Sequence, residues 1–217
     1  MEGSEYIISC ESYLHDEAKH TEMFSRWQQA VGVGDLDLSA YHNDSYKRIF
    51  YEALPEAMER LYTDDSPEAV NRAAAVYNII VEGVLAESGY YSFRQIYKKA
   101  GLFLGILQGI DYLNMDEGRH IQFGIYTIQR LVVGNEERFK LFHDYMDELW
   151  AHAYGVVEYL VGLAVLQREQ SNVESRIVFE PDMMRQYAVK QFHIRKSKID
   201  RARKYKNLSE LEAAAGP

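Results

Sequence analysis

Apolar positions recur along this chain at three- and four-residue spacing, over runs far longer than strands need. A first helix is predicted from Glu5 to Ala30, where "VGVGD" supplies the glycines that end it. "DSYKRIFYEALPEAMERLYT" reads as two short helical pieces around Pro55, because proline cannot donate the interior hydrogen bond. The next segment is marked at both ends: Ser66 as N-cap, Pro67 at the first helical position, Glu68 in the first turn, then Lys98, Lys99 and Gly101 at the close. A fourth long helix is expected from Leu102 to Val133, stopped by Gly134, and a fifth from near Asn135 to Gln170. A basic C-terminal helix follows Pro181, over residues 181–206. Long helices bury their apolar faces most economically against one another, so the expected fold class is all-α, a single helical bundle over residues 1–217.

Charge intrudes into three of the apolar stripes. The fourth helix carries Ile106, Ile110, Leu113, Glu117, His120, Ile121 and Gly124 on neighbouring turns, which points Glu117 and His120 inward together. On the first helix Tyr13, Glu17, His20 and Phe24 share a face in the same way. Glu82 is flanked by Ala75, Ile79, Leu85, Ala86 and Gly89. Glu87 competes with it, having Val84, Tyr90 and Tyr91 as neighbours, and periodicity does not choose between them. Burying an ionised carboxylate costs several kcal/mol unless a cation offsets it. The stripes themselves supply few.

A metal would supply the missing charge. Chance alone gives about one Glu-x-x-His in such a chain. Here "HDEAKH" and "MDEGRH" both extend to Asp-Glu-x-x-His, both inside long helices, and a third helix adds a glutamate. Glu-x-x-His on each of two helices, with further glutamates from others, is the ligand pattern of a two-metal carboxylate centre in a ferritin-like bundle. Carboxylate and imidazole ligands suit iron or manganese. Asp16 and Asp116 are expected to orient the metal-bound histidines, each reaching the histidine of the opposite helix. His15, His42, His143, His152 and His193 lack the preceding glutamate and read as surface or core histidines.

Composition narrows the function classes. A formal net charge of -9 disfavours nucleic acid and anionic membrane surfaces as partners. The C-terminal "RQYAVKQFHIRKSKIDRARKYK" is basic with interleaved aromatics, but reads first as a solvated face lying on an acidic body. "FHIRK" within it could alternatively face a pocket mouth and steady an anionic head group. Cys10 is the single cysteine, which fits a reducing, cytoplasmic setting. The most apolar run, "YGVVEYLVGLAVL", is short and interrupted by Glu158, so no membrane span is expected.

"HDEAKHTEMFSRWQQAVG", "YKRIFYEALPEAMERLY", "VYNIIVEGVLAESGYYSFRQIYKKAGL" and "QGIDYLNMDEGRHIQFGIYTIQRLV" resemble the ligand-binding oxidases related to the small subunit of ribonucleotide reductase. The resemblance covers most of the chain to about residue 150 and, more loosely, "MMRQYAVKQFHIRKSKI". It implies a ferritin-like fold, a homodimer, and a mixed manganese and iron pair, or two irons, that activates O2. It matches Glu17, His20, Glu82, Glu117 and His120 to ligand positions and so decides for Glu82 over Glu87. It further implies a long-chain fatty acid bound at the metals, and an ether cross-link between a tyrosine, matched by Tyr77, and a valine. The family also has an earlier helix bearing a sixth ligand, a glutamate, and that valine; neither has a counterpart in this sequence. Glu5 and Glu11 share the helix of Glu17 and cannot replace a ligand from a separate helix. Five of six ligands remain, so the expectation is either a fragment or shortened variant with a weakened or lost second metal site, or a centre whose gap another group or a partner chain fills, together with an apolar flank prone to self-association. Two rivals stand beside it. A non-catalytic bundle would keep these residues only for packing. A reductase subunit using a tyrosyl radical would need a tyrosine where this chain has Phe24, a test that metal-based radical variants survive.

Overall fold

The computed structural model describes residues 3–170 and 180–215, with the side chains of 12–169 and 180–214; Glu5, Cys10 and Glu11 lie outside the described side chains. Helix α1 spans Gly3–Ala30 and ends in a turn where Gly32 takes φ +80°. Helix α2, residues 44–60, is continuous through Pro55 where two pieces were expected. Its middle, Arg48–Ala53, winds as π-helix directly before the proline, a local rewinding that carries the chain past a residue without an N–H. Helix α3 runs Pro67–Lys98. Ser66 caps it, its hydroxyl accepting from the Ala69 amide at 3.3 Å. Ala75–Ala86 and Arg94–Lys98 within it are also π-helical, which no periodicity foretold. Helices α4 (Leu104–Val132), α5 (Glu136–Gln170) and α6 (Pro181–Asp200) follow, then a 3-10 turn at Arg201–Lys204 and a short α7 (Leu208–Ala215). The basic C-terminal helix is thus shorter than expected. The described residues contain no strand.

The main core lies where α3 meets α2, α4, α5 and α6, filled by Ile49, Ile79, Ile80, Ile125, Ile128, Phe139, Met146, Leu149 and Phe192. A smaller cluster of Ile106, Ile110 and Leu113 packs Met23, Phe24 and Trp27 of α1 against Tyr90 and Phe93 of α3. Helix α1 packs chiefly against α4. By length and composition α3 and α5 could each cross a membrane, so the apolar run of α5 is not too short, as was expected. The apolar window of α3 is 67% buried in the bundle; that of α5 is only 28% buried, leaving Leu160 and Leu166 outward.

The basic α6 lies on acidic partners: Arg185 on Glu158, Lys196 on Asp147, and Arg195 on Glu87 at 2.8 Å. Arg195 is buried rather than at a pocket mouth, and its Nε donates to the Gly83 carbonyl at 3.3 Å. The α3–α4 contact depends on Gly124, where an added Cβ would lie 2.2 Å from Asn78 Cβ and 2.6 Å from its Cγ.

Two stability outcomes follow from these contacts. Gly124→Ala should cost about 1–3 kcal/mol in urea unfolding, because Asn78 is penned in by its own hydrogen bonds. Arg195→Ala should cost about 3–5 kcal/mol, because it strands the Glu87 carboxylate, while the double change Arg195→Met with Glu87→Gln should recover most of that loss.

Candidate metal centre

The two Asp-Glu-x-x-His segments face each other across the α1–α4 contact. Glu17, Glu82, Glu117 and His120 each bring one ligand-capable atom within 4.8 Å of the others'. His20 joins them, its Nδ1 lying 3.6 Å from Glu17 Oε2 and 3.7 Å from Glu117 Oε1. His120 Nδ1 lies 3.3 Å from Glu17 Oε1, 3.5 Å from Glu82 Oε1 and 3.7 Å from Glu117 Oε2. Glu82, Glu117, His20 and His120 are buried, and Glu17 is partly so. The π-helical stretch of α3 carries Glu82 to this point. Glu87, the alternative, is held away by Arg195.

Outside the cluster the arrangement is crossed. Asp116 Oδ2 lies 3.4 Å from His20 Nε2, and Asp16 Oδ2 lies 3.4 Å from His120 Nε2. Each aspartate is therefore beside the histidine of the opposite helix. Lys19 and Arg119 then clamp both aspartates: Lys19 Nζ is 2.7 Å from Asp16 and 3.5 Å from Asp116, and Arg119 is 2.9 Å from Asp16 and 2.7 Å from Asp116. The repeated motif is thus Asp-Glu-x-(Lys/Arg)-His, and every charged position in it has a structural use.

The electrostatics follow from this crowding. Burial opposes ionisation of Glu17, but the His120 and His20 imidazoles outweigh it and hold the carboxyl at about 2. Burial likewise opposes protonation of His120, yet Glu117, Glu17 and Glu82 push it up to about 11. His20 moves up as well, its desolvation outweighed by Glu17, Asp116 and Glu117. Glu82 goes the other way: burial raises it despite His120, Tyr13 and Asn78. Three glutamates face two imidazoles, so protons alone balance the group only if one glutamate stays neutral.

Sequence reasoning missed two polar neighbours, Asn78 and Tyr90, and placed a third, Tyr13, on the right face without its role. The Tyr13 hydroxyl donates to Glu82 Oε1, and the Tyr13 ring stacks on His120 at 3.7 Å. Asn78 Nδ2 donates to Glu82 Oε2 at 2.8 Å and to the Tyr13 hydroxyl at 2.7 Å. Tyr90 donates to Glu117 Oε1 at 3.0 Å. Asn78 had a usable signal, a polar residue one turn before Glu82 in an apolar run. Tyr77 lies 5.9 Å from Tyr13, ring to ring, and lines a cavity of about 410 Å³ with Tyr13, Leu14, Asn78, Arg119, His120 and Phe123. Phe24 packs on Tyr90 and Phe93. The five histidines outside the motifs contribute nothing to the cluster among the described residues.

The donor set fits divalent metal. Glu17 Oε1, Glu117 Oε2 and the Nδ1 atoms of His20 and His120 are buried, converge, and have no hydrogen-bond partner. Buried polar atoms are ordinarily paired, and such a shortfall in one place marks an unmet ligand. Three carboxylates with two imidazoles make a hard oxygen and nitrogen set that suits iron or manganese.

Comparison with known proteins agrees with this chemistry. A family model described as "Ribonucleotide reductase, small chain" matches residues 9–187. Solved structures of an R2-like ligand-binding oxidase match with 66% sequence identity over 87% of this chain. One is a variant with an anaerobically reconstituted Mn/Fe cofactor, at TM-score 0.83, and another lacks the metal cofactor, also at 0.83. The chain spans 66% of the length of the first and 69% of the second. With a helical bundle, a paired Asp-Glu-x-x-His centre and a family match over most of its length, this chain belongs to the ribonucleotide reductase small-chain family, with the ferritin-like fold and likeness to its R2-like ligand-binding oxidases.

Proposed function

We propose that this chain is a two-metal carboxylate oxidase, holding manganese and iron, or two irons, between Glu17, His20, Glu82, Glu117 and His120. The reading rests on one observation above all, the convergence of buried ligand atoms that have no other partner. The Mn/Fe cofactor of the similar oxidases supports the choice of metals. When bound, the ion pair would supply the redox chemistry for O2 reduction and Lewis acidity.

The protein's part is positional. Asp16 and Asp116 fix the rings of His120 and His20 from behind, so that each Nδ1 is aimed into the cluster. Asn78 and Tyr13 hold Glu82, and Tyr90 holds Glu117, which limits how far these carboxylates swing. The cavity beside His120 has apolar walls in Leu14, Phe123 and the tyrosine rings, with Arg119 among its lining residues. We assign it to a long-chain fatty acid or another apolar molecule, with Tyr77, which lines the cavity and matches the family's tyrosine, as the residue for oxidation of the protein itself. The sixth ligand that the family resemblance implies has no counterpart among the described side chains.

Mn(II) and Fe(II) supplied anaerobically should bind with a stoichiometry of roughly two ions per chain and raise the unfolding midpoint, the stabilisation being about 2.7 kcal/mol for each site at which free metal is a hundredfold above its Kd. Glu117→Ala should abolish that rise, because it removes one of the converging ligand atoms. A metal-independent midpoint in the unaltered chain would favour the non-catalytic bundle. After oxygen is admitted, peptide mass mapping should show a modified Tyr77 peptide in the unaltered chain and none in Tyr77→Phe, which should still take up metal.

A further inference from the structure

Two ions ask for more donor atoms than three carboxylates and two imidazoles supply. Hard divalent ions in octahedral surroundings take about six donors each. Glu17, Glu82 and Glu117 have two oxygens apiece, and His20 and His120 direct one nitrogen apiece inward. Some of those oxygens already have partners: Glu82 Oε2 accepts from Asn78 at 2.8 Å, and Glu117 Oε1 accepts from Tyr90 at 3.0 Å. The shortage directs attention to other oxygens at the cluster.

Tyr13 carries such an oxygen. It lies one turn before Glu17 on α1, half-buried, with its ring stacked on His120 at 3.7 Å and its hydroxyl on Glu82 Oε1. Glu82 Oε1 is also the atom 3.5 Å from His120 Nδ1. Two donors at right angles on an ion with bonds of about 2.1 Å stand about 3 Å apart. Glu82 Oε1 thus has a phenol oxygen and an imidazole nitrogen beside it, each near enough to share an ion with it. Asn78 Nδ2 donates to the Tyr13 oxygen at 2.7 Å as well as to Glu82 Oε2 at 2.8 Å, so one amide holds both groups as acceptors. Asn78 is itself penned against Gly124, where an added Cβ would lie 2.2 Å from Asn78 Cβ. Burial and the Glu82 carboxylate push the Tyr13 hydroxyl up, so it keeps its proton until a cation arrives. A bound cation reverses that balance, as it does for water and thiols.

Granted the two-metal reading above, we propose that Tyr13 is itself a ligand of the centre, its oxygen binding the same ion as Glu82 and His120. The Tyr13 O–H bond breaks as the metal–oxygen bond forms, the proton leaves to solvent, and no electron moves. Asn78 then donates to the bound phenolate and to Glu82 together.

A spectroscopic experiment on the full chain tests this, in a Tyr77→Phe background that removes the tyrosine assigned to oxidation. Iron(II) is bound without oxygen, at concentrations above the Kd of each variant, and air is then admitted to oxidise it to iron(III). Iron(III) on a phenolate absorbs visible light by charge transfer, and excitation in that band enhances phenolate ring vibrations in the Raman spectrum. Those vibrations shift when the chain carries ring-deuterated tyrosine. The signature should appear, persist after Tyr90→Phe, and vanish after Tyr13→Phe, which keeps a ring to stack on His120. Mn(II) affinity, read by calorimetry without oxygen, should fall at least about tenfold in Tyr13→Phe. Retained iron without the phenolate signature, a signature that survives Tyr13→Phe, or unchanged Mn(II) affinity would each overturn the assignment of Tyr13 and leave the two-metal reading standing. A chain that retains no iron at all would overturn both.

Discussion

Desolvation of three carboxylates at one crossing of helices is the constraint around which this protein is arranged. Glu82 and Glu117 are almost wholly removed from solvent, and Glu17 is partly so. Each would cost several kcal/mol if left ionised and unpaired. The chain answers with two imidazoles inside the cluster and two hydroxyls and an amide at its edge, from Tyr13, Tyr90 and Asn78. Those groups leave four converging atoms unmet. An interior that tolerates so incomplete a balance is built to receive charge, and the rest of the bundle supplies the rigidity that keeps the acids from turning outward.

The cost of that rigidity is visible in the layers behind the cluster. Asp16 and Asp116 each have one side toward an imidazole and another toward Lys19 and Arg119. For Asp16, burial would raise the carboxyl, but Lys19 and Arg119 hold it at about 2, so an anion stands 3.4 Å from His120 Nε2. The cations are half-exposed, and as isolated surface pairs they would contribute little. Their use is directional: they hold each aspartate oxygen where one ring nitrogen can meet it, which orients the other nitrogen inward. Gly124 serves the same end, since only a glycine lets α4 approach Asn78, and Asn78 in turn holds Glu82.

Much of this was legible in the residues. Three-residue spacing within an apolar stripe placed Glu117 with His120 correctly on the buried face of α4, and the duplicated aspartate foretold the crossed contacts that the structure shows. Helix ends marked by Ser66, Gly101 and Gly134 came within a few residues of their observed positions. What periodicity does not record was lost. Glu82 and Glu87 look alike in their own segment, and what separates them is Arg195, more than a hundred residues away. The π-helical winding of α3 includes Gly83, whose carbonyl accepts from Arg195 more than a hundred residues away, and local periodicity carries no trace of that contact. Tyr13 was visible on the right face of α1, but that its hydroxyl would meet Glu82 depended on how α1 docks.

That docking is where the centre and the fold become one problem. Helix α1 packs chiefly against α4 and contributes Glu17 and His20 to a cluster whose other members belong to α3 and α4. Its apolar hold is the smaller core cluster, and its polar hold is Tyr13 on Glu82 together with the Lys19 and Arg119 clamps. A cation held among the ligand atoms of α1 and α4 would add a tie between these helices that exists only when α1 is seated. By linkage, whatever affinity the site has for metal is free energy for seating α1. The converse holds equally. Any change that loosens α1 lowers metal affinity without touching a ligand, so the apolar contacts of Phe24 and Trp27 belong to the energetics of the centre as much as the carboxylates do.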